Sequence, residues 1–172
     1  NGEVHFVARA SYPFEFANRQ VVELGVQGYT GDFVVGTSAL GGTTPTVAAE
    51  GVRDERGGVT FVLYPQPFGL EAEWNWGRGP QLQDDLLTIE EENLQGGYVQ
   101  ANWLLKSDSG VWFPFGRWNY FDGARKFARN APGDQVNEID FGIEYCPVPE
   151  VELTVTYTHT FWRTDTTDTT GT

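Results

Sequence analysis

The sequence predicts an all-β chain, an antiparallel up-and-down transmembrane β-barrel segment of about eight strands belonging to a larger barrel. Three observations point there. Side chains alternate apolar and polar without a break across two strands near the end of the chain, tight and long connections take turns, and aromatics make up 15% of the residues.

The alternation is clearest from Glu138 to Phe161. Ile139, Phe141, Ile143 and Tyr145 interleave with Glu138, Asp140, Gly142, Glu144 and Cys146. After Pro147-Val148-Pro149, Val151, Leu153, Val155, Tyr157 and Phe161 interleave with Glu152, Thr154, Thr156, Thr158 and Thr160. Successive strand residues point to opposite faces, so one face is apolar and the other acidic and hydroxyl-bearing. Strands of roughly ten residues with this pattern suit a wall between lipid and a wet lumen. A soluble sandwich shows the same alternation, which keeps a secreted all-β glycan- or calcium-binding module as the alternative, with a non-pore barrel or adhesin as a third reading.

By the same signals the strands are expected at Glu3–Tyr12, Gln20–Val35, Val59–Pro65, Phe68–Gly77, Gly97–Lys106, Val111–Asp122, Val136–Cys146 and Glu150–Arg163. The short connections are Pro13–Arg19, Pro65–Pro67, Ser107–Gly110 and Pro147–Pro149, and the long ones are Gly36–Gly58, Arg78–Gly96 and Gly123–Gln135. Outer-membrane barrels have short turns on one rim and long loops on the other, whereas a sandwich has no need of that rule. The alternation places both ends of the chain on the long-loop side. The Thr/Asp-rich end, Thr164 to Thr172, is unlike a closing strand, so residues 1–172 are expected to be a single barrel domain incomplete at both ends.

Composition narrows the function. A formal net charge of −13 leaves nothing to neutralise phosphates, which argues against nucleic acid as a partner. No apolar run approaches the ~18 residues of a spanning helix. One cysteine, Cys146, permits no internal disulfide and no thiolate metal cluster. His5 and His159 have no nucleophile and orienting group assigned beside them, so no enzyme and no cofactor are expected. The run Asp84-Asp85 with Glu90-Glu91-Glu92 reads as a solvated external loop. Its carboxylates suit divalent cations shared with lipopolysaccharide, but they show no fixed ligand spacing.

Five strings, in order and spacing, resemble the C-terminal half of the phosphate-selective porin O and P family of Gram-negative outer membranes. They are WNWGRGPQ (Trp74–Gln81), LQGGYVQANW (Leu94–Trp103), FPFGRWNYFDGARK (Phe113–Lys126), NAPGDQVNEIDFGIEY (Asn130–Tyr145) and PEVELTVTYTHTFWRT (Pro149–Thr164). The resemblance implies a barrel on the order of sixteen strands and a homotrimer set among outer-membrane lipid and lipopolysaccharide. It also implies a channel that passes small hydrophilic solutes by diffusion, with basic ladders and an infolded loop behind the family's phosphate selectivity.

Alternation assigns Arg9, Glu23, Glu71, Glu73, Arg117, Glu138, Asp140, Glu144 and Glu152 to the lumen, together with Glu3 and Glu150. Carboxylates so far outnumber guanidiniums that this stretch departs from an anion-selective pattern. Arg117 is the one basic position carried over from the family motif. Trp74, Trp76, Trp103, Trp118, Tyr120 and Tyr157 fall on or near the apolar parity, several at strand ends, and are expected to form an aromatic girdle at headgroup level.

Overall fold

The computed structural model describes residues 4–164, and nine strands with no helix carry them. They are β1 (Phe6–Glu15), β2 (Val21–Phe33), β3 (Val52–Leu63), β4 (Phe68–Leu82), β5 (Ile89–Trp103), β6 (Leu105–Ser107), β7 (Gly110–Ala124), β8 (Gly133–Val148) and β9 (Val151–Thr164). Glu3 and the stretch after Thr164 lie outside the described residues.

Each strand pairs antiparallel with its chain neighbour in the order β1-β2-β3-β4-β5-β7-β8-β9, and β6 is a three-residue annex on β7 at the hairpin turn. The eight expected strands are therefore present, with the end of the expected fifth, Leu105–Lys106, split off as β6. Among the described residues β1 and β9 have one neighbour each, so the sheet is open.

Several boundaries differ from expectation, and all the large differences lie at the long-connection end. β3 begins at Val52 rather than Val59, β4 runs on to Leu82, and β5 begins at Ile89 rather than Gly97. The connections shrink to 34–51, 83–88 and 125–132. The added segments, Arg53-Asp54-Glu55-Arg56 and Glu90-Glu91-Glu92, are charged on both faces and so lack the alternation that marks a strand. They are held by ladder bonds and by ion pairs such as Arg78 Nη1 to Glu91 Oε1 at 3.2 Å. The acidic run Glu90–Glu92 is thus strand, not external loop. β4 and β5 each have 15 residues, more than the ~9–11 a tilted strand needs to cross the hydrocarbon.

Among the described residues no second sheet covers this one. The buried apolar side chains Val35, Val52, Leu82, Ile89 and Ala131 gather where the three long connections meet. Backbone bonds knit that junction: Leu82 N to Ala131 O at 3.0 Å, Asn130 N to Gly36 O at 2.8 Å and Ile89 N to Thr46 O at 2.9 Å. Elsewhere large apolar residues such as Phe141, Leu153, Val155 and Tyr157 stand exposed.

Candidate functional site

Antiparallel partners directly opposite one another share a face, so the register sorts the whole sheet. One row runs Glu23, Val62, Glu71, Gln100, Arg117, Asp140, Thr158, and the next runs Gly25, Thr60, Glu73, Tyr98, Asn119, Glu138, Thr160. Arg9 lies opposite Gln27, and Glu144 opposite Thr154, on this same face. Glu152 joins them through the Thr154 hydroxyl, which donates to Glu152 Oε1 at 3.4 Å. Glu150 falls in the turn between β8 and β9.

The polar face is the inside of a curled sheet. Val7 and Arg9 of β1, Tyr29 of β2, Arg56 of β3, Asn75 of β4 and Phe121 of β7 line one hollow of about 430 Å³. Strands that far apart in the order meet one hollow only if the sheet bends around it.

Hydrogen bonds fix the inner side chains. Gln27 Nε2 and Asn75 Nδ2 donate to Glu73 Oε1 at 2.9 and 2.7 Å. Arg117 Nε and Nη2 each reach Asp140 Oδ2 at 2.9 Å. Thr158 Oγ1 donates to Asp140 Oδ1 at 2.7 Å, while Asn119 Nδ2 spans Glu138 and Asp140 at 3.1 and 3.0 Å. Asp140 is fully buried by these partners, and Arg117 keeps 39% of its side chain open to the trough. Charge compensation is sparse elsewhere in these rows: Glu23 accepts from the Tyr64 hydroxyl and Glu138 from Thr160. Toward the long connections Asp54, fully buried, is held by Arg56 Nε at 3.0 Å and by Lys126.

The outer face carries the aromatics. Trp74, Trp118 and Tyr120 stack with ring centroids 5.9–6.3 Å apart. Trp118 Nε1 donates to Asn137 Oδ1 at 2.7 Å and the Tyr120 hydroxyl to Asp122 at 3.1 Å. The next row outward, Trp76, Gln95, Asp122 and Gln135, is polar apart from its tryptophan, which marks one edge of the apolar belt. At the opposite edge Trp103 packs on Phe68, and Trp112 stacks on Tyr145 at 3.8 Å with its Nε1 donating to Ser107 Oγ. Phe68, Trp112 and Tyr145 were not among the expected girdle residues, although Tyr145 lies on the apolar parity and the nearness of all three to the short turns was a usable signal. Tyr157 sits opposite Phe141, midway along β9 rather than at an edge.

Outside the spanning part, the Leu87 amide, 2.8 Å from Asp85 Oδ1, holds the Asp85 carboxyl below its ordinary range, with the Thr88 amide and hydroxyl adding to it. Among the described residues no cluster of three or more His, Cys, Asp or Glu side chains is placed to hold a metal ion.

An up-and-down antiparallel wall with an apolar aromatic-edged outer belt and a polar trough inside defines the transmembrane β-barrel class of outer-membrane porins. The chain belongs to the phosphate-selective porin O and P family, whose model matches residues 1–171. Porins of this family are channels, not an enzyme class. No curated protein and no solved structure matches the chain.

Proposed function

We propose that this chain forms part of the wall of a water-filled channel in a Gram-negative outer membrane, passing small hydrophilic solutes by diffusion, and that this wall favours cations. The inner face is the lumen, its side chains setting the width and the electrostatic barrier, while the outer belt anchors the wall among lipid and lipopolysaccharide. The observation that carries the reading is the charge balance of one face. Glu23, Asp54, Glu71, Glu73, Glu138, Asp140, Glu144 and Glu152 share it with Arg9, Arg56 and Arg117, and Lys126 reaches into it. Arg117 is already committed to Asp140.

At physiological salt the screening length is about 8 Å, so lumen charges act on whatever passes close to them. A potential of a few kT enriches cations and repels phosphate. The protein works as a homotrimer on this reading, each protomer with its own pore. Reversal potentials of the full-length protein in a planar bilayer, measured across a potassium chloride gradient, test the selectivity. The expected result is a potential of the cation-preferring sign. A strong anion preference with phosphate blocking chloride current overturns it.

A further inference from the structure

Lys126 belongs to the connection after β7, yet its ammonium rests on β3 and β2. Asp54 of β3 takes it directly, and the rings of Tyr29 and Phe33 of β2 lie 4.9 Å from Nζ, with Phe127 at 5.2 Å. Only 12% of the Lys126 side chain is exposed. β4 and β5 separate β3 from β7, and neighbouring strands stand about 4.8 Å apart. Asp54, Tyr29 and Phe33 have inner-face parity, Tyr29 opposite Arg56 and Phe33 opposite Val52. The lysine therefore reaches across the trough instead of along the wall.

We propose that Asp54, Tyr29 and Phe33 form a subsite for a primary ammonium group on the inner wall, which Lys126 occupies as a tethered stand-in for an amine-bearing solute. This rests on the reading of the inner face as the lumen, since a solute must arrive through it.

The chemistry fits an ammonium ion. A compact cation on ring faces and a carboxylate is bound by charge and quadrupole together, and more strongly where water is excluded. Arg56 holds Asp54 from the other side with Nε at 3.0 Å, so the carboxylate stays oriented when its second cation leaves. Tyr29 is fixed by a 2.8 Å bond between its hydroxyl and His5 Nδ1. A Cβ at Gly79 would stand 3.3 Å from Asp54 Oδ1, so that glycine keeps the wall beside the carboxylate clear. The hollow of about 430 Å³ abuts the site, sharing Tyr29 and Arg56, and gives a small amine room to approach.

A short tether gives Lys126 an effective concentration in the millimolar range, so free amine competes poorly until the lysine is removed. The test titrates n-butylammonium chloride into the full-length protein folded in detergent, with sodium chloride as the control, and follows binding by calorimetry. Lys126→Ala is expected to bind the amine at least tenfold more tightly than wild type. Adding Asp54→Asn is expected to return affinity to the wild-type level. Phe33→Leu in the same Lys126→Ala background does the same without touching the buried carboxylate, so the test survives if Asp54→Asn fails to fold. Affinity in Lys126→Ala no tighter than wild type, or unchanged by both second substitutions, makes Lys126 a structural latch only and overturns the proposal. Conductance of the same samples separates the two readings: the expected binding pattern without channels sinks the pore and leaves the subsite standing.

Discussion

The two faces of the β8–β9 hairpin are built from the same strands and ladder bonds, yet they are held by different forces. Outward, Phe141 meets Tyr157 and Ile143 meets Val155, and these side chains find no partner layer among the described residues. Inward, one residue away, Asp140 meets Thr158 and Glu138 meets Thr160 in bonds of 2.7 and 2.6 Å. The outer face gains its stability from lipid, where apolar area costs nothing to expose; the inner face gains it from polar pairs that satisfy one another. Period two lets a single strand answer to two solvents at once.

The sharpest way to break the comparison is to put the same charge on both faces. Arg at Phe141 is expected to cost about 2–4 kcal/mol, and Arg at Thr156 close to nothing, in denaturant unfolding from lipid vesicles. Equal costs would mean that the outer face does not meet hydrocarbon.

A second substitution probes the inner face alone. Arg117→Leu leaves the buried Asp140 with Asn119 and Thr158 but no cation, and is expected to lower stability by about 1–3 kcal/mol. Arg117→Lys should recover part of that loss. No effect from Arg117→Leu would show that water in the trough already serves Asp140.

Single-cysteine labelling in a Cys146→Ser background maps the same contrast without an energy scale. Polar maleimides should modify cysteines placed at Glu138, Glu144 and Glu152 and leave those at Phe141, Ile143 and Leu153 dark in vesicles.

The smallest expected effect lies beyond both faces. The Asp85 carboxyl, depressed by the Leu87 amide, supports its turn above the ordinary carboxylate range, and that support is lost as pH falls through its lowered folded value. Hydrogen exchange at the Leu87 amide should therefore quicken in that acid window. A rate that follows only the intrinsic pH dependence would dismiss the turn bond.

How much of this was readable in the sequence depended on whether a segment meets two environments. β8 and β9 do, so alternation located them to within three residues at each end. Arg53–Arg56 and Glu90–Glu92 are charged on both faces, so their strands carry no apolar mark. Parity also set the inner carboxylates and the stacked trio Trp74, Trp118 and Tyr120 on opposite faces. The site around Lys126 was hidden, because it joins residues 72 positions apart across the trough and no local pattern announces that contact. Tyr157 shows the limit of parity: it fixes the face but not the height along the strand.

Two glycines on the wall have a further consequence. A Cβ at Gly77 would fall 2.0 Å from the Glu55 carbonyl oxygen, and one at Gly97 would fall 1.9 Å from that of Glu73. At both places one backbone presses against the next more closely than any side chain allows, and such glycines are where a sheet creases. Creases at such points let a sheet close more tightly than a smooth one could. Alanine at either point would have to push the neighbouring backbone away.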